Sequence, residues 1–190
     1  MRFHSSIAKT QFTSTLGTVI LAATDHGLCG MWFDGQRHQP DMQKWREASG
    51  QPVLREAMTQ LHDFFSGKRT SFDLPLDLQG GTAFQQSVWR GLLAIPCGET
   101  MTYGALGQFI GHPEAVRAVG AAVGRNPISV IVPCHRVIGA DGSLTGYAGG
   151  LERKAALLEL EGAPIAASRP RPHAASRAAP AQRTLEEALS

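Results

Sequence analysis

At 190 residues the chain is long enough for one large domain or two small ones with a real core. Its 43% hydrophobic and 18% charged content is that of a soluble globular protein, and no run nears the roughly 18 apolar residues of a membrane span. The net charge of +2 resides wholly in the stretch after Gly162, so global charge is no argument for nucleic acid.

Taken in order, Met1 to Lys9 has no apolar h-region and is not a signal peptide. Residues 11–33 favour β structure, and Asp25-His26-Gly27 between Thr18–Leu21 and Leu28–Phe33 predicts a hairpin. Pro40 to Pro52 is polar and reads as a loop. Leu54, Ala57, Met58, Leu61, Phe64 and Phe65 recur at helical spacing over 53–65, with Gly67 as the stop. Phe72 to Leu78 alternates, and Pro75 makes it an edge-type strand. Gln79-Gly80-Gly81 marks the expected boundary between domains 1–80 and 81–162.

The second half reads as mainly helical. Thr82 caps a helix carrying Phe84, Val88, Leu92 and Ile95, which ends at Pro96. A short helix spans Thr102 to Ile110, Gly111-His112 turns the chain, and Pro113 opens a second helix that runs to about Gly124. Ile128 to Val132 is apolar and β-branched and predicts a short buried strand ended by Pro133. Asp141-Gly142 is a turn, and a last amphipathic helix runs from about Leu151 to Glu161, closed by Gly162. Residues 163–190, rich in Ala, Pro, Arg and Ser, are expected to be disordered.

Chemistry concentrates at Pro133-Cys134-His135-Arg136-Val137. A thiol reacts as its thiolate, and at a pKa of about 8.5 only a few per cent is ionised near neutrality. His135 and Arg136 are neighbours able to raise that fraction. On these five residues alone Cys134 is equally a nucleophile or a small buried hydrophobe. With Cys29 and Cys97 it makes three cysteines, too few and too scattered for a disulfide framework, so a reducing cytoplasm is the expected home. From Ala115 to Ala140 there is no acid, only Arg117, Arg125 and Arg136. The helix pair 102–110 and 114–123 has the outline of a helix-turn-helix, although helical hairpins are commoner. Its second helix is Ala/Gly-rich and offers only Arg117, so it suits close approach to DNA better than reading a base sequence.

Ile131-Val132-Pro133-Cys134-His135-Arg136-Val137-Ile138-Gly139, with Arg117-Ala118-Val119-Gly120 before it and Tyr147-Ala148-Gly149-Gly150-Leu151 after it, closely resembles the methylated-DNA–protein-cysteine methyltransferases. The resemblance covers about residues 10–162. It implies a small ribonuclease-H-like α/β domain followed by a mainly helical domain with a helix-turn-helix. The expected activity is single-turnover transfer of an alkyl group from O6-alkylguanine in duplex DNA to Cys134, after base flipping from the minor groove. His135 and Glu161 match the family's base and its orienter, working through a water. Tyr103 matches the proton donor to the leaving guanine, and Asn126 a residue bridging the turn before the cysteine. Arg117 matches the arginine that fills the vacated stack. Ala118, Gly120 and Ala121 fit a narrow groove, with Thr102 and Arg125 on the same DNA side. Val137, Ala148 and Gly149 fall in the pocket, and Arg136, Tyr147 and Lys154 help build it and hold the final helix, a structural role before a catalytic one.

No cofactor is required, because a thioether is not hydrolysed and the cysteine is spent. Where some relatives bind zinc, this chain offers Cys29 and Thr24, so no metal is expected, and His4 and His26 are read as surface residues. Ala148 replaces a hydroxyl residue of some relatives. A stand-alone monomer is expected, with cooperativity on DNA left open. The competing readings are a non-enzymatic lesion sensor, against which Cys134 itself argues, a Cys–His–Glu hydrolase without a visible oxyanion hole, and a plain DNA-binding regulator.

Overall fold

The computed structural model describes residues 7–164, so His4 and all but the first two residues of 163–190 lie outside the described residues. Ala8–Ser14 (β1), Gly17–Thr24 (β2) and Gly27–Phe33 (β3) form an antiparallel meander, one strand more than the expected hairpin. Alternation decides the faces of β2. Val19, Leu21 and Ala23 enter the main core, while Ile20 and Ala22 join Trp32, Met42 and Trp45 on the other side. The reading of 40–52 as loop holds except at Arg46–Glu47 and at Pro52, where a helix begins. Met42 and Trp45 bury under the sheet and bring Arg46–Glu47 (β4) alongside β1, in the order β3-β2-β1-β4. Pro52–Phe65 (α1) starts where the Gln51 side chain accepts from Leu54 N at 2.8 Å, and it buries Leu54, Ala57, Leu61 and Phe64 in the main core.

The strand expected over 72–78 shrinks to a single parallel bridge between Leu28 and Leu76. Pro75, with no N–H, contributes its carbonyl to Leu28 N, and Asp77 N donates to Leu28 O.

After Gly81 the chain is mainly helical. Thr82 and Gln85 form a reciprocal capping box at Ala83–Leu93 (α2). Met101–Thr102 (β5) pairs with Val137–Ile138 (β6), a short parallel ladder the sequence did not announce. Tyr103–Phe109 (α3) ends with Gly111 at φ +80, His112 N on Gly107 O and Gly111 N on Gln108 O, a Schellman closure. The expectation that Pro113 opens the next helix is corrected. Ala115 N bonds His112 O, so Pro113 takes the second position of a turn, where its fixed φ fits, and Val116–Val123 (α4) starts three residues later. Trp89 Nε1 donates to Ala122 O at 2.9 Å and ties α2 to α4. Leu151–Leu160 (α5) closes the described chain.

The strand expected over Ile128–Val132 is also corrected. Pro127 O accepts from Met31 N and Ser129 N donates to Met31 O, which joins the sheet to the helical half. The chain then coils, with Val132 N on Ile128 O and Val130 at φ +68. The β-branched residues obtain burial without a strand, because beyond Met31 no further edge pairs with them. The result is an N-terminal sheet domain and a helical C-terminal domain sharing one continuous core. Among the described residues no helix is long and apolar enough to cross a membrane.

Candidate active site

Cys134 opens a single 3-10 turn, Cys134–Arg136, between the coil at 128–132 and β6, and is 4% exposed. Asn126 shapes its approach. The Asn126 side-chain oxygen accepts from Ile128 N at 3.0 Å, while Nδ2 donates to Val132 O at 2.7 Å and to Cys134 Sγ at 3.1 Å. Burial pushes the thiol up from its ordinary value, against the Asn126 hydrogen bond and the charge of Lys154, which pull it down. The resting sulfur is therefore a neutral thiol, and ionising it requires a proton acceptor.

His135 supplies a candidate. It is fully buried, and its Nε2 lies 2.8 Å from Glu161 Oε1. Arg136 grips the same carboxylate at both oxygens, through Nε to Oε2 at 3.0 Å and a terminal nitrogen to Oε1 at 2.9 Å. Its other terminal nitrogen donates to Ile95 O, the last turn before Pro96. Burial alone would raise Glu161, but the hydrogen bonds from His135 and Arg136 outweigh it and hold the acid at about 2. An ionised carboxylate accepts and never donates, so His135 Nε2 carries the proton and Nδ1 keeps its lone pair. Nδ1 has no hydrogen-bond partner among the described residues. Burial lowers the His135 pKa, so the ring stays in its neutral form.

Lys154, from α5, reaches the same region with its ammonium wholly buried. It donates to Val137 O and, at 2.7 Å, to Thr145 O, tying β6 to the loop before Tyr147. Burial lowers it to about 8, and the nearby Cys134 works the other way. Tyr103, at the start of α3, sits across that loop, its hydroxyl 3.3 Å from Thr145 O and 3.4 Å from Gly146 O. Burial raises its phenol and that of the enclosed Tyr147, so both remain protonated near neutrality. The Tyr147 ring leaves Gly149 no room for a side chain: a Cβ there would lie 2.8 Å from the ring.

The other expected residues fall on the adjoining surface. Arg117, Ala118 and Ala121 are exposed on α4, and Arg125 is exposed just past its end. Gly120 is half-buried, and a Cβ on it would rest 3.8 Å from the Tyr103 ring, so this helix abuts the site. Thr102 is occupied as the cap of α3, accepting from Ala105 N at 3.1 Å. Val137 is buried in β6, and Ala148 is half-buried beside Tyr147. His26 is exposed, and Thr24 bonds Asp77 at 2.7 Å. Among the described residues no three His, Cys, Asp or Glu side chains are grouped to share a metal ion.

Two residues at the pocket loop escaped the sequence reading. Arg37 donates from its backbone to Ala148 O at 3.1 Å and from its guanidinium to Tyr147 O at 3.4 Å, and Arg153 donates to Gly149 O at 3.0 Å. Arg37 lies in a polar stretch with no local signal. Arg153, beside Lys154 and just after two glycines, had a signal in its position.

Residues 7–78 match the family described as 6-O-methylguanine DNA methyltransferase, ribonuclease-like domain, and residues 83–163 match the DNA binding domain of the same description. A methylated-DNA–protein-cysteine methyltransferase of Mycobacterium tuberculosis is 50% identical over 148 residues, 78% of this chain and 88% of the relative. One from Methanosarcina acetivorans is 49% identical over 152 residues, 80% of this chain and 96% of that protein. The crystal structure of Mycobacterium tuberculosis OGT in complex with DNA is similar at TM-score 0.77 and 48% identity, covering 83% of this chain and 96% of that one. The chain belongs to the methylated-DNA–protein-cysteine methyltransferase family.

Proposed function

We propose that this protein repairs DNA by direct reversal, moving the alkyl carbon of O6-alkylguanine onto Cys134 once per molecule. The observation that carries the reading is the assembly at the sulfur: a buried thiol 3.1 Å from Asn126 Nδ2, followed by a histidine whose Nε2 is committed to Glu161 and whose Nδ1 is unshared. His135 Nδ1 takes the thiol proton through one water, with Glu161 and Arg136 fixing the ring. The sulfur then forms a bond to the alkyl carbon as the bond from that carbon to O6 breaks. The electron pair leaves with the guanine, and Tyr103 stabilises it by donating a hydrogen bond. Overall the thiol hydrogen ends on the restored guanine, which stays in the DNA, and the protein keeps a thioether. A thioether carbon is a poor electrophile for water, so no cofactor or water-activating site is called for.

In this reading residues 1–80 are a ribonuclease-H-like scaffold and 81–162 the DNA-binding and acceptor domain. α3 and α4 act as a helix-turn-helix in the minor groove, and Arg117 enters the stack when the base is flipped. The small exposed residues Ala118 and Ala121 support a close approach to DNA. The protein acts as a monomer in a reducing cytoplasm, where its free thiols persist.

The test is to react the protein with duplex carrying O6-methylguanine, digest it and weigh the Cys134 peptide. A gain of one methylene at one equivalent per protein is expected. Turnover beyond one equivalent would mean a hydrolase, and tight binding without transfer a sensor.

A further inference from the structure

The carbonyls of Tyr147, Ala148 and Gly149 are all taken by arginines, and the third of these links has a second end. Arg153, rooted on α5, donates from one terminal nitrogen to Gly149 O at 3.0 Å and from Nε to Leu16 O at 3.0 Å. Leu16 is the turn between β1 and β2, at the far sequence end of the first domain. The same guanidinium lies over the Phe33 ring of β3, 4.7 Å from its centroid. A Cβ on Gly17 would come within 3.3 Å of it, and one on Gly149 would meet Phe33 at 3.2 Å as well as the Tyr147 ring. The guanidinium is thus clasped between the sheet and the loop, with little slack on either side.

We propose that Arg153 is a positioning residue for alkyl transfer: it braces the Tyr147–Gly149 wall of the pocket against the β1–β2 turn, and so sets how large an alkyl group Cys134 accepts. This rests on Cys134 being the acceptor. A planar guanidinium holds two carbonyls in fixed directions and stacks on a ring at once, which an ammonium cannot do. The contacts of Arg153 are with Leu16 O, Gly149 O and the Phe33 ring, not with the Cys134 sulfur. Its effect passes through the wall, whose displacement by a fraction of an ångström slows a reaction that depends on alignment. A small alkyl group depends on a close wall. A bulky one is served by a looser wall.

The experiment measures single-turnover alkylation of Cys134 by O6-methylguanine in duplex and by free O6-benzylguanine, for the parent, Arg153→Ala and Arg153→Lys. Arg153→Ala should slow methyl transfer about 10- to 100-fold, slow benzyl transfer less, and regain rate when guanidinium ion is added. Arg153→Lys, able to reach one carbonyl, should fall between. Folded fraction is followed by circular dichroism at the assay temperature. If the parent alkylates Cys134 with neither substrate, the acceptor assignment itself fails. If the parent reacts and Arg153→Ala keeps both rates, the inference is overturned. It is equally overturned if both rates fall together in proportion to folded protein, with no rescue by guanidinium.

Discussion

The Asn126 amide donates to Cys134 Sγ at 3.1 Å while the same nitrogen holds Val132 O at 2.7 Å, so the residue that bends the chain also touches the thiol. The bond to sulfur is one of the influences lowering the Cys134 pKa against burial. Asn126→Ala removes it and leaves Ile128 N without its partner, at about 1–3 kcal/mol for a buried group, while Val132 O keeps its bond from Cys134 N at 2.8 Å. Asn126→Asp keeps the acceptor for Ile128 N but turns an anion toward the sulfur. Both variants should shift the pH midpoint of Cys134 alkylation by a small electrophile upward, Asn126→Asp further. An unmoved midpoint in both would show that the amide does not tune the thiol.

How much of this was visible in the residues depends on the range of the interaction. Thr82 announced a helix start, and Gly111 announced the end of α3, because caps are local chemistry. Ile128–Val132 misled because β-branched residues signal burial as well as pairing, and here Asn126 and Met31 supply the partners that a neighbouring strand would have offered. Pro113 misled for a related reason: a turn's second position and a helix's first turn want the same φ. Cys134 and His135 stood out by adjacency. Glu161, 26 residues from His135, was paired with it only through the family resemblance, and Arg136, expected to help hold the final helix, does so by a two-pronged grip on Glu161 that no local signal announced.

Acid should unfold the protein through the His135–Glu161–Arg136 cluster. His135 has a folded pKa below its ordinary 6.5, so its contribution is present above that value and fades as pH falls through it. Glu161, held at about 2 against an ordinary 4.5, contributes above 4.5 and loses that contribution as pH drops toward 2. Urea midpoints should therefore begin to fall below pH 6.5 and fall more steeply below 4.5. Glu161→Gln leaves Arg136 buried without its counter-ion, costing about 3–5 kcal/mol at neutral pH, and should flatten the steep part. A variant whose midpoint tracks the parent's between pH 4.5 and 2 would remove Glu161 from the account.

Arg117 and Cys134 should separate DNA handling from chemistry. Arg117 is exposed on α4 and no interaction of its side chain enters the core, so Arg117→Ala should change stability by less than about 0.5 kcal/mol. Duplex repair should nevertheless slow at least about tenfold, the scale of a few lost contacts at 1.4 kcal/mol per decade. Cys134→Ala should bind a lesion-bearing duplex as the parent does and transfer nothing. Single-turnover repair and fluorescence anisotropy check both. A parental repair rate in Arg117→Ala would end its role in base flipping.

Lys154 offers the reverse pH signature. Its ammonium is buried with two carbonyl acceptors, Val137 O and Thr145 O, and burial lowers it from 10.5 to about 8. Between those values the unfolded chain holds a proton that the folded one has released, so Lys154 favours folding increasingly as pH rises from 8 to 10.5. Lys154→Met matches the stem but cannot titrate, and its stability should lack that rise. At neutral pH two effects oppose: an uncomfortable buried charge is relieved, while Val137 O loses this donor at about 1–3 kcal/mol and Thr145 O is left with the longer bond from the Tyr103 hydroxyl at 3.3 Å. The loss is larger, because it also frees the 139–145 loop from β6. The ammonium is among the influences that lower the Cys134 thiol, so removing it should move the alkylation midpoint of Cys134 upward as well. Parallel urea and thiol-alkylation titrations on both proteins measure the two effects. Retention of the alkaline rise in stability by Lys154→Met would assign it to another group.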